Sequence, residues 1–454
     1  MTLSPARAAA LRALRSARTR DAYIGPLIET EVARARLDGS DRALAVTLAR
    51  GVVETSGVLD AAINERATGK IEPGVRDALR LAAYELLYLR TPARAAVHQG
   101  VEAARAARPQ AAGLANAVLR RLADVANEFP WGDPETDPIA SARLAGYPQW
   151  LAALAVSDLG QEAAQSMLRS ARAAPPLYVR VNAFMGDTRA AVDVLKSDGA
   201  DPQQSPPDPL TIRIGHERAL VQGVAVHRGM VVVADAAAQV APLAVGAHPG
   251  GVVVDVGAGR GTKTVALQAL NSAAGELANV VAVDSHTYKI KLLSERMNEL
   301  GVPGITPVVS TIETLPSDVV PPGSADAVLL DAPCTGTGTL RRHPEIVWRL
   351  SPADITRMAE LQLRLLEASA RLVRPEGVVV YSTCSIARAE NDDVVRAFLD
   401  RPSGRDFAID RLDALVPDEW GAFRTREGFF RSWPTVNGPD GHFVARLIRN
   451  ARAE

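Results

Sequence analysis

The chain contains two cysteines, and both stand in segments built for chemistry. Cys334 lies in LLDAPCTGTG, residues 329–338, and Cys384 lies in VVVYSTCS, residues 378–385. In each, an apolar β-prone run ends just before the thiol, so two strands would deliver two sulfurs to the same end of one sheet. Two thiols without a compact Cys/His cluster do not make a zinc site, and no metal is expected. A structural disulfide does not suit the cytoplasmic location that the sequence suggests. What a thiolate can do at such an edge is add to an electron-poor ring. Carbon 5 of cytosine is a poor nucleophile. Addition of sulfur to C6 makes C5 enamine-like and able to take a methyl group, and loss of the C5 proton then expels the sulfur. Methylation of nitrogen needs no such step, so cysteine in the site selects for carbon.

Two further motifs supply a place for a nucleotide-like cofactor. Asp255-Val-Gly-Ala-Gly-Arg-Gly-Thr-Lys-Thr264 follows the run GVVV. Gly257, Gly259 and Gly261 allow a sharp turn and a close backbone approach to a ligand. The spacing before Lys263 is wrong for a Walker A loop, and the third glycine of a dinucleotide loop is out of place. Asp284 ends the next strand, VVAVD, where a carboxylate can accept both hydroxyls of a ribose. That geometry serves NAD and S-adenosylmethionine alike, and an Asp capping the following helix would look the same.

The elements that must position these residues can be read from periodicity. From about residue 226 short apolar strands alternate with helical segments: MVVVAD, GVVVDVGAG, ANVVAVD, ADAVLLDAPC and EGVVVYSTC. This predicts a mostly parallel, doubly wound α/β sheet over 226–450, with ligands beyond the carboxyl ends of its strands. Residues 139–225 read as a small α/β connector, with β-prone PPLYVRVNAF and LTIRI flanking a helical TRAAVDVLKSDG. The proline-rich NEFPWGDPETDP, residues 127–138, reads as a linker. Residues 1–126 read as an all-α bundle. Leu44, Leu48 and Val52, then Leu79, Ala83 and Leu87 with Leu86, recur at helical spacing, and Val97, Val101, Ala104, Val118 and Leu122 continue the stripes.

The head pattern, DRALAVTLARGVVETSGVLDAAI followed by RDALRLAAYELLYLRTP, AVHQGVEAAR and LANAVLRRL, resembles the helical fold of NusB, a family that binds RNA. The four chemical motifs together resemble the RNA 5-methylcytosine methyltransferases, and with this head they look like the small-subunit ribosomal RNA branch of that family. The resemblance implies a multidomain protein: a NusB-like bundle, a small connector and a Rossmann-like methyltransferase domain. It implies Cys384 as nucleophile, Cys334 as the residue assisting product release, and Asp331 at the base edge. It also implies S-adenosylmethionine over Gly257, Ala258, Gly259, Arg260, Gly261, Thr262 and Lys263, with its ribose on Asp284. The sequence departs from the family at that loop, which reads A-G-R-G-T-K-T instead of A-P-G-G-K-T. The adenine contact is another departure, with Thr311 at the expected position and Glu313 nearby. PLYVRVN, with Arg180 and Asn182, resembles the family's entry motif. RSWPTVNGPDGHFVARL resembles its closing strand, with His442 in place of an aromatic.

Arg341, Arg342 and His343, beside the Cys334 loop, could bind phosphate or could be a solvated cluster. Overall charge is −1, but residues 1–125 hold 19 Lys+Arg against 13 Asp+Glu, a basic surplus suited to RNA docking. No secretory or membrane-spanning run is read from the sequence, which suggests a cytoplasmic protein, and a monomer is expected. Two rivals stand beside this reading. A DNA cytosine methyltransferase would place its nucleophile in the Pro-Cys loop, and a non-catalytic RNA-binding assembly factor would not bind cofactor.

Overall fold

The computed structural model describes residues 3–451 and divides into two compact units, residues 1–169 with 343–350, and residues 170–342 with 351–454.

In the first unit, seven α-helices, Pro5–Arg20, Ile24–Arg34, Gly39–Glu54, Ser56–Asn64, Pro73–Leu87, Ala93–Ala107 and Ala112–Val125, build the head. The first begins with Pro at N1, where a missing N–H costs nothing, behind a Ser4 cap. Its buried face is Ala6, Ala9, Ala10 and Ala13, small enough for neighbouring helices to approach closely. The stripes predicted from spacing form the core: Leu48, Val52, Leu79, Ala83, Leu87, Val118 and Leu122 are buried, while Leu44, Val97 and Val101 pack against it half-exposed. The segment 127–138 folds within this unit, with Phe129 and Pro130 buried, and three more helices, Pro138–Ala145, Gln149–Leu159 and Gln161–Ser170, follow it.

The second unit holds two sheets. Strands β1 (Leu177–Val181), β2 (Pro202–Gln204), β3 (Thr211–Ile214) and β4 (Val231–Val233) form an antiparallel sheet in the order β2-β3-β1-β4. The spacing assigned MVVVAD to the parallel sheet. It pairs instead with β1, Val179 to Val233 and Val181 to Val231. A three-residue apolar run carries no signal for which sheet it joins, and only the partner strand decides.

The larger sheet comprises β5 (Val252–Val256), β6 (Asn279–Asp284), β7 (Ile305–Val309), β8 (Ala325–Asp331), β9 (Val373–Thr383), β10 (Phe407–Asp410), β11 (Phe430–Arg431) and β12 (Phe443–Arg449). Its order is β10-β12-β9-β8-β5-β6-β7, with β11 on β12. β5 to β9 run parallel and β12 pairs antiparallel with β9. Alternation sends Val254, Val256, Val281 and Val283 to one apolar core and Val253, Val280, Ala327 and Leu329 to the other, so helices cover both faces. The strand order reverses at β5, and the crevice at such a reversal is where ligands bind in doubly wound sheets.

Candidate active site

At that reversal β5 runs into Gly257, Gly259 and Gly261, all with left-handed φ of +78°, +57° and +81°. The Gly257 requirement is steric as well, since a Cβ there would lie 2.4 Å from the Asp331 carbonyl oxygen. The loop ends in the helix Thr262–Ala273, whose Thr264 hydroxyl donates to Asp255 Oδ2 at 2.6 Å. Asp255 is fully buried and its Oδ1 has no partner, so burial pushes its carboxyl up to about 6.

The loop and Asp284 face a cavity of about 310 Å³ whose walls include Gly257, Asp284, Ser285, Thr311, Glu313 and Asp331. Asp284 is 6 % exposed. Burial would raise its carboxyl, but hydrogen bonds from the backbone N–H and ring of His286, with the Lys289 ammonium at 3.4 Å, hold it below the ordinary carboxylate range. It also accepts from Gly259 N at 3.3 Å. A carboxylate kept charged at the end of β6, beside a glycine turn, fits the ribose hydroxyls of a nucleoside cofactor. Not every loop residue predicted for that role lines this cavity. Ala258 is buried beneath the turn, the Arg260 carbonyl accepts from Arg296, and Gly261 packs on Met297 and Leu293. Thr262 and Lys263 line a second cavity instead.

Lys263 Nζ donates to Asp331 Oδ2 at 2.7 Å. Burial, the largest single influence, would lower the ammonium, but the charge and hydrogen bond of Asp331 together with the Asp255 and Cys384 charges raise it on balance. Three residues beyond Asp331 the two sulfurs meet, with Cys334 Sγ 3.0 Å from Cys384 Sγ and Cys384 N donating to Cys334 Sγ at 3.3 Å. Both cysteines are free. The Cys334 thiol is pushed well up, first by its hydrogen bond to Cys384 and then by burial.

Beneath the thiols lies a polar hub that the sequence does not announce. Glu390, fully buried, accepts from Thr335 N at 2.9 Å, from the Thr335 hydroxyl, from Ser385 Oγ at 2.7 Å and from Gln362 Nε2 at 2.9 Å. It thereby ties the loop carrying Cys334 to the loop carrying Cys384. Gly338 N, donating to the Cys384 carbonyl at 2.9 Å, adds a second tie. Read along the chain, Glu390 sits in ARAENDD and looks like a solvated turn; only the chain's return beneath Cys384 reveals its role.

Arg341 and Arg342 do not offer themselves to phosphate. Arg341 is 8 % exposed, donates from Nε to Asp440 Oδ1 at 2.6 Å and reaches the Thr435 and Gly438 carbonyls at 2.8 and 2.7 Å. Arg342 pairs with Asp440 and, at 3.2 Å, with Asp235. Their partners lie about a hundred positions away along the chain, beyond the reach of local charge patterning. These arginines fix the closing segment before β12.

Comparison with known proteins gives this geometry a class. Residues 242–448 match the model for the 16S rRNA methyltransferase RsmB/F, residues 4–124 the NusB family, and residues 147–220 the RsmF/B-like ferredoxin-like domain. The ribosomal RNA small subunit methyltransferase B of Xylella fastidiosa is 31% identical, over 94% of this chain and 96% of the relative. That of Salmonella newport is 30% identical, over 90% of this chain and 91% of the relative. The solved structure of PH0851 superimposes with a TM-score of 0.74 at 24% identity, covering 98% of this chain and 99% of the other. That of NSun6 from Pyrococcus horikoshii gives 0.57 at 18% identity, covering 66% and 98%. Both share the fold. Fold and site are those of a methyltransferase. The chain belongs to the RsmB/F family of 16S rRNA methyltransferases.

Proposed function

We propose that this chain methylates carbon 5 of a cytosine in small-subunit ribosomal RNA, with Cys384 as the covalent nucleophile. The observation that carries the reading is the pair of free thiols 3.0 Å apart, next to the Lys263–Asp331 ion pair. S-adenosylmethionine, held against Gly257 and Asp284, supplies the methyl group. The Cys384 thiolate adds to C6, forming the C–S bond and placing the electron pair on the C5 side of the ring. Asp331, its charge balanced by Lys263, engages the amidine edge and favours a proton on N3 as the ring accepts that pair. C5 takes the methyl group and S-adenosylhomocysteine is left. A solvent base removes the C5 proton, the C5–C6 double bond re-forms, the C–S bond breaks with its pair returning to the Cys384 sulfur, and N3 gives its proton back to solvent. Cys334 stays a thiol through the addition because the Cys384 contact and burial oppose its ionisation. Its sulfur lies 3.0 Å from the Cys384 sulfur, where it can assist release. A duplex cytosine would have to be extruded to reach the thiols, which favours a loop or unfolded RNA as substrate.

The test is to exchange each cysteine and follow both methyl transfer and protein–RNA adduct on a denaturing gel. Cys384→Ser should abolish methylation and adduct together, whereas Cys334→Ala should accumulate a stable adduct. A Cys384→Ser protein that still methylates RNA at the normal rate would refute the mechanism. Adduct trapped by Cys384→Ser, but not by Cys334→Ala, would move the nucleophile to the Pro-Cys loop. Bisulfite sequencing of ribosomal RNA from cells with and without the gene would map the cytosine.

A further inference from the structure

Within the chain the two sulfurs of the site have only each other to react with, since Cys334 and Cys384 are its two cysteines. Both thiols are free and both residues are partly exposed. Their Sγ atoms stand 3.0 Å apart, and a disulfide bond needs them at about 2.05 Å. The remaining gap is within the reach of side-chain rotation. The backbone on either side is already held for such a closure. Glu390 accepts from Thr335 N at 2.9 Å and from Ser385 Oγ at 2.7 Å, the residues that follow the two cysteines. Gly338 N donates to the Cys384 carbonyl at 2.9 Å, and Cys384 N donates to the Cys334 sulfur at 3.3 Å. The last of these bonds keeps the Cys334 sulfur against the residue it would join.

We infer that Cys334 and Cys384 close into a reversible disulfide when a hydroperoxide reaches them, and that this thiol–disulfide couple switches methyl transfer off and on. The inference rests on the function proposed above, which makes Cys384 the nucleophile and so the thiol that ionises. With hydrogen peroxide as the oxidant, the Cys384 thiolate attacks one oxygen. The S–O bond forms, the O–O bond breaks and hydroxide leaves, so the sulfur is oxidised to a sulfenic acid and the peroxide is reduced. Cys334 then attacks that sulfur. The S–S bond forms, the S–O bond breaks, and the Cys334 proton leaves with the hydroxyl group as water. Two thiols and one peroxide thus give one disulfide and two waters, and a dithiol reduces the pair again. A sulfenic acid without a neighbour is oxidised further to a sulfinic acid, which is not recovered. A second thiol in contact stops that loss, so the residue proposed to assist release also protects the nucleophile. A disulfide of this kind is transient and redox-sensing, not structural. It removes the nucleophile and the releasing thiol together, while Gly257 and Asp284 stay at the ends of β5 and β6.

The experiment treats the full-length protein, reduced and then freed of reductant, with a small excess of hydrogen peroxide. Intact mass, free-thiol count, methyl transfer to ribosomal RNA and calorimetric titration with S-adenosylmethionine are then measured. The expected product is a single chain lighter by two hydrogens and without free thiol. Its methyl transfer should fall about a hundredfold or more, because no nucleophile is left. Cofactor affinity should change less than about threefold, as for a site that does not share the thiol contacts. Dithiothreitol should restore both thiols and activity. Under the same treatment Cys334→Ala should gain two or three oxygens on Cys384, and dithiothreitol should not remove them. Should that variant fail to fold, mass and thiol count of the unaltered protein still decide. Thiols untouched by peroxide, oxygen gained without loss of hydrogen, or a disulfide joining two chains would overturn the inference. So would a disulfide form that methylates as fast as the reduced one. Mass is read independently of activity, so a protein that closes the disulfide but methylates no cytosine when reduced would sink the proposed function and leave the thiol couple standing.

Discussion

Asp284 and Asp255 stand 29 positions apart on neighbouring strands, and their surroundings push them in opposite directions. Asp284 is kept ionised by donors from His286 and Lys289, the state needed to accept from a ribose. Asp284→Ala should therefore raise the dissociation constant for S-adenosylmethionine about tenfold or more, the scale of a charge-assisted hydrogen bond, as read by calorimetric titration. Asp255 has its Oδ1 unpartnered and its carboxyl raised to about 6. Between pH 3.8 and about 6 the folded form holds a proton that the unfolded chain releases, so stability falls across that window as pH rises and stays reduced above it. The deficit is on the order of 3 kcal/mol. Asn keeps an oxygen for the Thr264 hydroxyl and carries no charge. Asp255→Asn should thus raise the melting temperature of the methyltransferase unit at pH 8, with the gain shrinking toward pH 4. At this scale the sequence was highly legible for cysteines, since two thiols in 454 residues, each ending an apolar run, leave few alternatives. It was not legible for Arg180, whose buried guanidinium is held by partners 28 and 59 positions away.

Among the elements, the parallel strands and their order around β5 follow from short valine-rich runs separated by helical ones. The details that depend on return of the chain do not. β4 joined the other sheet, Arg341 and Arg342 turned inward, and Glu390 went from apparent surface turn to the centre of the two thiol loops. That carboxylate predicts a separable effect. Glu390→Ala leaves the buried donors of Thr335, Ser385 and Gln362 without their acceptor, at a cost of several kcal/mol. It should lower thermal stability and collapse kcat. Affinity for S-adenosylmethionine should change less than threefold, because Gly257 and Asp284 stand at the ends of β5 and β6, whereas Glu390 ties the loops that follow β8 and β9. Equal losses of cofactor affinity and turnover would argue against the hub as the element that aligns the sulfurs.

Across the whole molecule, the basic surplus of the head is partly consumed internally: Arg7 pairs with Glu85, Arg12 with Glu31, and Arg76 and Arg80 with Asp60. Arg94 and Arg120 line a broad groove in that unit, together with Arg105, which pairs with Glu102. Reversing Arg94 and Arg120 to Glu should weaken ribosomal RNA binding and reduce the dependence of log affinity on log salt by roughly two, one for each lost phosphate contact. A slope unchanged by the double variant would place the RNA elsewhere. No helix among the described residues is long and apolar enough to cross a membrane.

The first unit is completed by residues 343–350, supplied from a distant part of the chain. There Trp348 Nε1 donates to the Glu54 carbonyl at 2.8 Å, and its ring fills the space that a Cβ on Gly57 would need. The polypeptide thus leaves the head, returns to it once for eight residues, and departs again. A gene truncated after Arg169 would encode a head missing its own plug. A gene beginning at Ser170 would encode a catalytic body carrying an orphaned tryptophan. A break at Arg169 therefore parts the octapeptide from the helices it packs against, and a head grafted among relatives keeps that contact only when the distant octapeptide travels with it.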